Sequence, residues 1–309
     1  MILKSPINEN RNCENIYFTK NARTAWHCIL EKKMDVFYSK KVLLPSYIGQ
    51  NEKEGSGVFD SIRELNIKFD FYRIKHDLSI DLECLTNKIK SGQFRILLVI
   101  HYFGFCVNDM NKIRLLCDEN NIILVEDCAH FFSLFLDSQV GNYGDYSFYS
   151  IHKYLPSKTG GVLKIKNKEE KIEININKEI DLDALKLLCK SDLEEIKKIR
   201  IKNFESYLDN LKNNDNYDVI YKKVENNIPQ SFPLLIKNGL REKLYFYLLD
   251  KKLPVIALYY RMIDEIDLNK YHISKKISEE IINFPVHQDT NEIDIKFLIS
   301  EVDKFFDQI

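Results

Sequence analysis

The chain has 309 residues, 45% of them hydrophobic and 29% charged, with 45 Lys and Arg against 46 Asp and Glu for a formal net charge of −1. A chain of this length buries a substantial core without disulfide or metal staples and holds about two domains of ordinary size. The charge balance leaves no electrostatic footprint for nucleic acid or an anionic membrane, and no apolar run approaches the roughly 20 residues of a membrane span.

In chain order, residues 21–32 (NARTAWHCILEK) predict a helix with Asn21 as its N-cap. Lys41–Pro45 predicts a short apolar strand, residues 60–66 a helix, and Ile67–Ile74 an alternating strand. Residues 81–90 suggest another helix. Ile96–His101 is a continuous apolar run, the pattern of a strand buried on both faces. Residues 109–119 form an amphipathic helix, and Ile122–Glu126 a second continuous strand. This alternation predicts a doubly covered, mostly parallel sheet. The texture changes near residue 165. Residues 168–202 are rich in Lys and Glu at helical spacing, and the run 167–179 reads as a solvated face or loop. A helix over 203–211, a strand over Phe232–Lys237 and helices over 241–251 and 293–307 complete a smaller α+β domain. The expected division is a large domain over 15–166 and a small one over 167–309, with residues 1–14 as an N-terminal arm.

The seven cysteines are odd in number and contain no CxxC pair. The N-terminal stretch has no secretory apolar core and no Arg-rich transit pattern. The expectation is a reduced, cytoplasmic compartment. His27, His76, His272 and His287 are scattered without metal-type spacing, so no metal site is expected.

Two segments carry chemistry. In IILVEDCAH (122–130) a buried apolar strand ends in Glu126 and Asp127. Strand carboxyl ends form the ligand crevice of a parallel sheet, where a carboxylate can hold a proton on a bound heterocycle. Asp127 could equally cap the next helix. In GDYSFYSIHKYLPSKTGGVLKI (144–165) two strand-like pieces flank a loop with Lys153 and the pair Gly160–Gly161. A lysine at a buried strand end is useful when its amine forms a Schiff base, though most lysines of such a chain are solvated surface. An Asp for a pyridinium nitrogen and a Lys for an aldehyde are the two protein partners that pyridoxal phosphate requires.

At these residues the sequence resembles the DegT–StrS aminotransferases, fold-type-I pyridoxal-phosphate enzymes most of which aminate nucleotide-linked keto sugars. VEDCAH is similar to the family's acidic signature and HKYLPSKTGGVL to its cofactor-lysine loop. NARTAWHCIL, VLLPSYIG, VIHYFGFCVND, KIRIKNFESYLDNL and the stretch from SEEIINFPVH to the final helix resemble further family segments in order, so the resemblance runs from about residue 16 to 308. It implies an α/β, fold-type-I transferase: a large mostly parallel sheet domain and a smaller α+β C-terminal domain. It implies Lys153 as the Schiff-base amine and acid/base, Asp127 on the pyridinium nitrogen, and His130 on the ring's phenolic oxygen. The backbone amides of Ala22 and Arg23 would meet the phosphate with Ser150, or alternatively Ser147. Tyr47 would be a stacking ring, and His101 and Tyr102 either line the pocket or serve the core. An amino donor, glutamate by resemblance, a keto-sugar acceptor and a homodimer follow.

The chain also departs from the family. Ala22 stands where the phosphate loop is usually Gly-rich. The Asn-Tyr-Arg-Met loop that normally follows the lysine strand is missing, and residues 165–195 look shortened. YYRM at 259–262 has similar letters in a different place. Counting forward from Ser147–Phe148, the lysine position falls on His152; counting back from Gly160–Gly161, it falls on Lys153. A histidine there would mark the family's sugar dehydratases, and the short loop would suit a non-catalytic cofactor-binding member. The ungapped back-count favours Lys153 and an aminotransferase.

Overall fold

A computed structural model of the chain describes residues 15–53, 55–175, 179–212 and 214–308. The expected arm, 1–14, lies outside the described residues. Short apolar runs become the strands β1 (Ile16–Thr19), β2 (Lys41–Pro45), β3 (Phe69–Tyr72), β4 (Phe94–Ile100), β5 (Ile123–Cys128), β6 (Tyr146–Ser150) and β7 (Gly161–Ile165). Among the described residues these form one seven-stranded sheet in the order β1-β7-β6-β5-β4-β2-β3. The five strands from β3 to β6 run parallel, and β7 and β1 close the edge antiparallel. Their near-continuous burial explains why β4 and β5 read as unbroken apolar runs: helices cover both faces.

The helices α1 (Ala22–Lys32), α2 (Asp60–Glu64), α3 (Leu82–Lys90) and α4 (Met110–Glu119) alternate with these strands. Asn21, Asp81 and Asp109 cap α1, α3 and α4 by accepting from the amides of Thr24, Cys84 and Lys112. From β2 the chain winds outward to β3, then returns to β4 on the other side of β2. The winding reverses between β2 and β4, and such a reversal opens a crevice at the strands' carboxyl ends.

The second sheet is antiparallel: β8 (Tyr217–Val219), β9 (Ser231–Ile236) and β10 (Ile281–Pro285), in the order β10-β9-β8. Around it lie α6 (Leu193–Asn210), α7 (Arg241–Asp250), α8 (His272–Glu280) and α9 (Glu292–Asp307), while α5 (Leu182–Lys190) packs Leu188 into the cluster of Cys128, Phe131 and Tyr149 beside the larger sheet. Rings dominate the core between α6 and this sheet. Phe204 and Tyr207 sit 4.6 and 4.8 Å from Phe232, and Phe105 of the larger domain stacks on Tyr221 at 4.0 Å. Asn291 and Asp294 close a capping box on α9.

Most expected elements stand within a few residues of their predicted bounds. Ile67–Ile74 shortens to Phe69–Tyr72, and its outer residues leave the ladder. Helix does not extend over 168–202. Apart from 176–178, which are outside the described residues, 166–181 is irregular, and helix begins only at Leu182. Strands β1, β8 and β10 and helix α8 had not been singled out.

One close approach fixes how the two sheets meet. Gly104 has φ +89°, and a Cβ there would lie 2.0 Å from the carbonyl oxygen of Ile228 and 2.9 Å from that of His130. Ile228 and Gln230 donate to the carbonyls of Gly104 and Phe103 at 3.1 and 2.8 Å. Gly104→Ala is expected to cost about 2–4 kcal/mol through left-handed strain and a backbone clash, read as a lower urea midpoint at unchanged slope.

Candidate active site

The crevice is lined by the residues that end β2, β4, β5 and β6. Along β5 side chains alternate between faces. Asp127 pairs with Phe148 in register, and Phe148 stacks on Trp26 of α1 at 5.9 Å, so Asp127 lies on the face that α1 covers. Glu126 points to the other face. There it accepts from the amides of Gly141 and Gly144 at 3.0 and 2.7 Å and meets His101 Nε2 at 2.9 Å, both side chains fully buried. Burial opposes a charge on His101, but Cys106 and Glu126 outweigh it and raise its pKa to about 10. His101 is therefore placed in a structural pair on the far face.

The start of α1 packs directly on the end of β7. A Cβ on Gly161 would sit 2.1 Å from the carbonyl carbon of Asn21 and 2.5 Å from the amide nitrogen of Ala22. Gly161 pairs with Ser150 across β6 and β7. Ser150 thus stands beside the opening amides of α1, which include those of Ala22 and Arg23, and a helix N-terminus next to a hydroxyl is a site for an anion. The Arg23 guanidinium turns to Asp60 at 3.1 Å. Ser147 occupies the opposite face and donates to the Gly141 carbonyl at 2.9 Å. Of the two serines, Ser150 shares a face with Asp127.

Lys153 follows β6 in the turn after Ile151. Its Nζ meets His130 Nε2 in a close hydrogen bond. The Phe103 amide donates to the other ring nitrogen, His130 Nδ1, at 3.3 Å, and the Phe103 ring stacks on the imidazole at 5.8 Å. Burial, with Lys153 and His152 adding to it, holds the His130 pKa well below its usual value. A neutral imidazole that accepts at Nδ1 carries its proton on Nε2, the nitrogen that faces the Lys153 amine. The Lys153 amine is presented inside the site. His152 is exposed, and its Nδ1 lies 3.1 Å from Ser150 Oγ. The two basic neighbours separate: Lys153 reaches inward, His152 outward.

Asp127 is buried, and one of its oxygens accepts from the Ala129 amide at 2.8 Å. Burial pushes its pKa up to about 6, against the opposing pull of that amide, Lys153 and His101. A carboxylate so raised favours a cationic partner.

Tyr47 is fully buried, with its hydroxyl unpartnered and its ring 5.5 Å from Tyr102 and 5.3 Å from Tyr259. Tyr102 donates to the Tyr47 carbonyl at 2.6 Å. Tyr259 is a second ring on His130, at 5.7 Å, and lies 6.0 Å from Phe103. Burial and the nearby Asp127 raise the Tyr259 pKa. The segment holding it lies against the loop after β2: Gln50 donates to Arg261 at 3.0 Å and Ile263 to Ile48 at 3.0 Å. A Cβ on Gly49 would fall 2.6 Å from Tyr259 Cδ1. Tyr259 was missed because its motif, YYRM, was set aside as similar letters in a different place from the family's loop. The signal was Gly49, a strand-end residue without a side chain, which makes room for a ring from elsewhere.

Residues 56–186 match the DegT/DnrJ/EryC1/StrS aminotransferase family. This span runs from α2 through β7 into α5 and contains Asp127, His130, Ser150 and Lys153. Solved structures cover nearly the whole chain. An aminotransferase of this family from Brucella abortus superimposes with TM-score 0.76 at 18% identity, over 94% of this chain and 85% of that one. The sugar aminotransferase CalS13 from Micromonospora echinospora gives 0.71 at 16%, over 94% and 87%. A protein from Streptococcus pneumoniae described as a sugar aminotransferase gives 0.77 at 13% in its PMP form, over 95% and 88%. These likenesses establish the fold-type-I architecture for the two sheets together.

Proposed function

We propose that the protein is a pyridoxal-phosphate-dependent aminotransferase that moves an amino group from an amino acid, glutamate as the expected donor, to a keto sugar, nucleotide-linked as the expected form. The observation that supports this best is the convergence of Lys153, His130 and Asp127 at the ends of β5 and β6. They stand with Ser150 and the start of α1 on the adjoining strand ends. The donor set fits the cofactor: a buried carboxylate raised by desolvation, a hydrogen-bonded amine, and a helix N-terminus with a hydroxyl for a dianionic phosphate.

When bound, pyridoxal phosphate supplies an electron sink for a carbanion at the substrate carbon. The chain's own residues do the rest. Asp127 holds the proton on the ring nitrogen. His130 donates from Nε2 to an oxygen or nitrogen placed before it. Lys153 Nζ, once free, carries a proton to and from the carbon beside the amine, as general acid and base. Ser150 and the α1 amides bind the phosphate and fix the ring's orientation. Tyr259 closes the site against water on the side of His130.

The amino-donor half-reaction tests this reading. Loaded protein mixed with glutamate is expected to lose its absorption near the visible boundary and release one equivalent of keto acid. A keto sugar should restore the band and gain the amine. A product without an amino group, formed with no keto acid, would assign the dehydration chemistry instead. Cofactor binding with no change on any donor would assign a non-catalytic role. The homodimer and the cytoplasmic location belong to the same proposal. Among the described residues no helix is long and apolar enough to cross a membrane.

A further inference from the structure

Arg200 of α6 is 1% exposed, and among the described residues no carboxylate lies within ion-pair distance of it. Its fork is spent on carbonyls. Nη1 donates to Pro229 and Gln230 at 3.2 and 3.3 Å. Nη2 donates to the backbone carbonyls of Lys153 and Tyr154 at 3.3 and 3.5 Å and to Gln288 Oε1 at 3.4 Å. Its Nε has no partner. The guanidinium lies 4.3 Å from the centre of the Tyr154 ring, whose hydroxyl donates to the carbonyls of His130 and Ile228 at 2.8 and 2.7 Å. Gln288 donates back to the Tyr154 carbonyl at 2.9 Å.

A buried cation without a counter-charge is costly, and a neutral side chain could fill the same space. The placement of this one is informative. It reaches from the small domain to the carbonyl of the residue whose amine faces His130. We propose that Arg200 is a positioning residue for Lys153, clamping the 153–154 backbone so that the amine meets His130 and keeping a positive charge beside it so that it reacts unprotonated. Among the groups facing Lys153 are Asp127 from β5 and His130, with His152 beside His130 and Arg200 behind the loop. Asp127 favours the protonated amine; the proposed role of Arg200 is to oppose it, as like charges do. His287 and Asp289 lie in the field of Arg200 itself.

The inference takes Lys153 as the reactive amine, yet its test needs neither cofactor nor substrate, so the aminotransferase reading can fail separately. Cofactor-free protein is acetylated with acetic anhydride over a range of pH, and Lys153 is quantified against surface lysines by peptide mass spectrometry. In the unaltered protein Lys153 is expected to react at a lower pH than the surface lysines. Arg200→Gln should move its midpoint up by about one unit, lowering its rate near pH 8 about tenfold. Arg200→Lys, which keeps the charge, should restore the midpoint, a rescue that a merely structural tie would not produce. An unshifted midpoint in Arg200→Gln overturns the proposal. If that variant does not fold, ordinary surface-like reactivity of Lys153 in the unaltered protein overturns it as well.

Discussion

Lys153→Ala is expected to abolish the cofactor band and lower the amino-transfer rate by about 10⁴-fold or more, the scale of losing a covalent catalytic group. His152→Ala should keep the band and cost less than about tenfold, because His152 is exposed and its ring lies against the Ser150 hydroxyl. The control matters because the two residues are adjacent and both basic, and counting from opposite ends of the loop selects different ones. The fold separates them physically. The turn after β6 sends Lys153 toward His130 and leaves His152 over the Ser150 hydroxyl. Folding itself should survive Lys153→Ala, since the side chain is only half-buried. Stopped turnover together with a thermal midpoint shifted by no more than a few degrees is the expected combination.

Asp127→Asn should give two effects of opposite sign. Cofactor affinity and turnover are expected to fall by about 100-fold or more, because the charge that holds the ring proton is gone. Cofactor-free protein should become more stable at neutral pH. The folded pKa of Asp127, about 6, lies above the ordinary 3.8, so burying the ionised carboxylate costs stability above pH 6. That cost declines between pH 6 and 3.8 and vanishes below. Removing the charge recovers stability on the order of 2–3 kcal/mol at pH 8 and almost none at pH 3.5. Urea unfolding of the cofactor-free pair at both pH values checks the sign. In the unaltered protein, cofactor affinity should drop up to about tenfold per unit as pH falls below 6, where Asp127 takes up its own proton.

The larger sheet was legible because buried parallel strands leave unbroken apolar runs, and ILLVIH and IILVE are such runs. Asp127 was legible because a charge ending such a run has few places to go but the crevice. Ser150 could not be separated from Ser147 by letters alone. Strand alternation decides it, since pairing with Glu126 puts Ser147 on the far face. Tyr259 and Arg200 were not legible as site residues. Both come from beyond residue 186, and nothing in their local sequence says which loop they meet. Gly49 marks the meeting with Tyr259, but a glycine shows only that something approaches, not what. His101 illustrates the reverse: it stands at a strand end beside the site, yet its ring belongs to Glu126.

The most direct test of the account is where the cofactor attaches. Protein incubated with pyridoxal phosphate, reduced with borohydride, digested and mapped by mass spectrometry is expected to carry one added pyridoxyl phosphate, on Lys153. A protein that carries none there, or carries it on another lysine while retaining activity, would contradict the account.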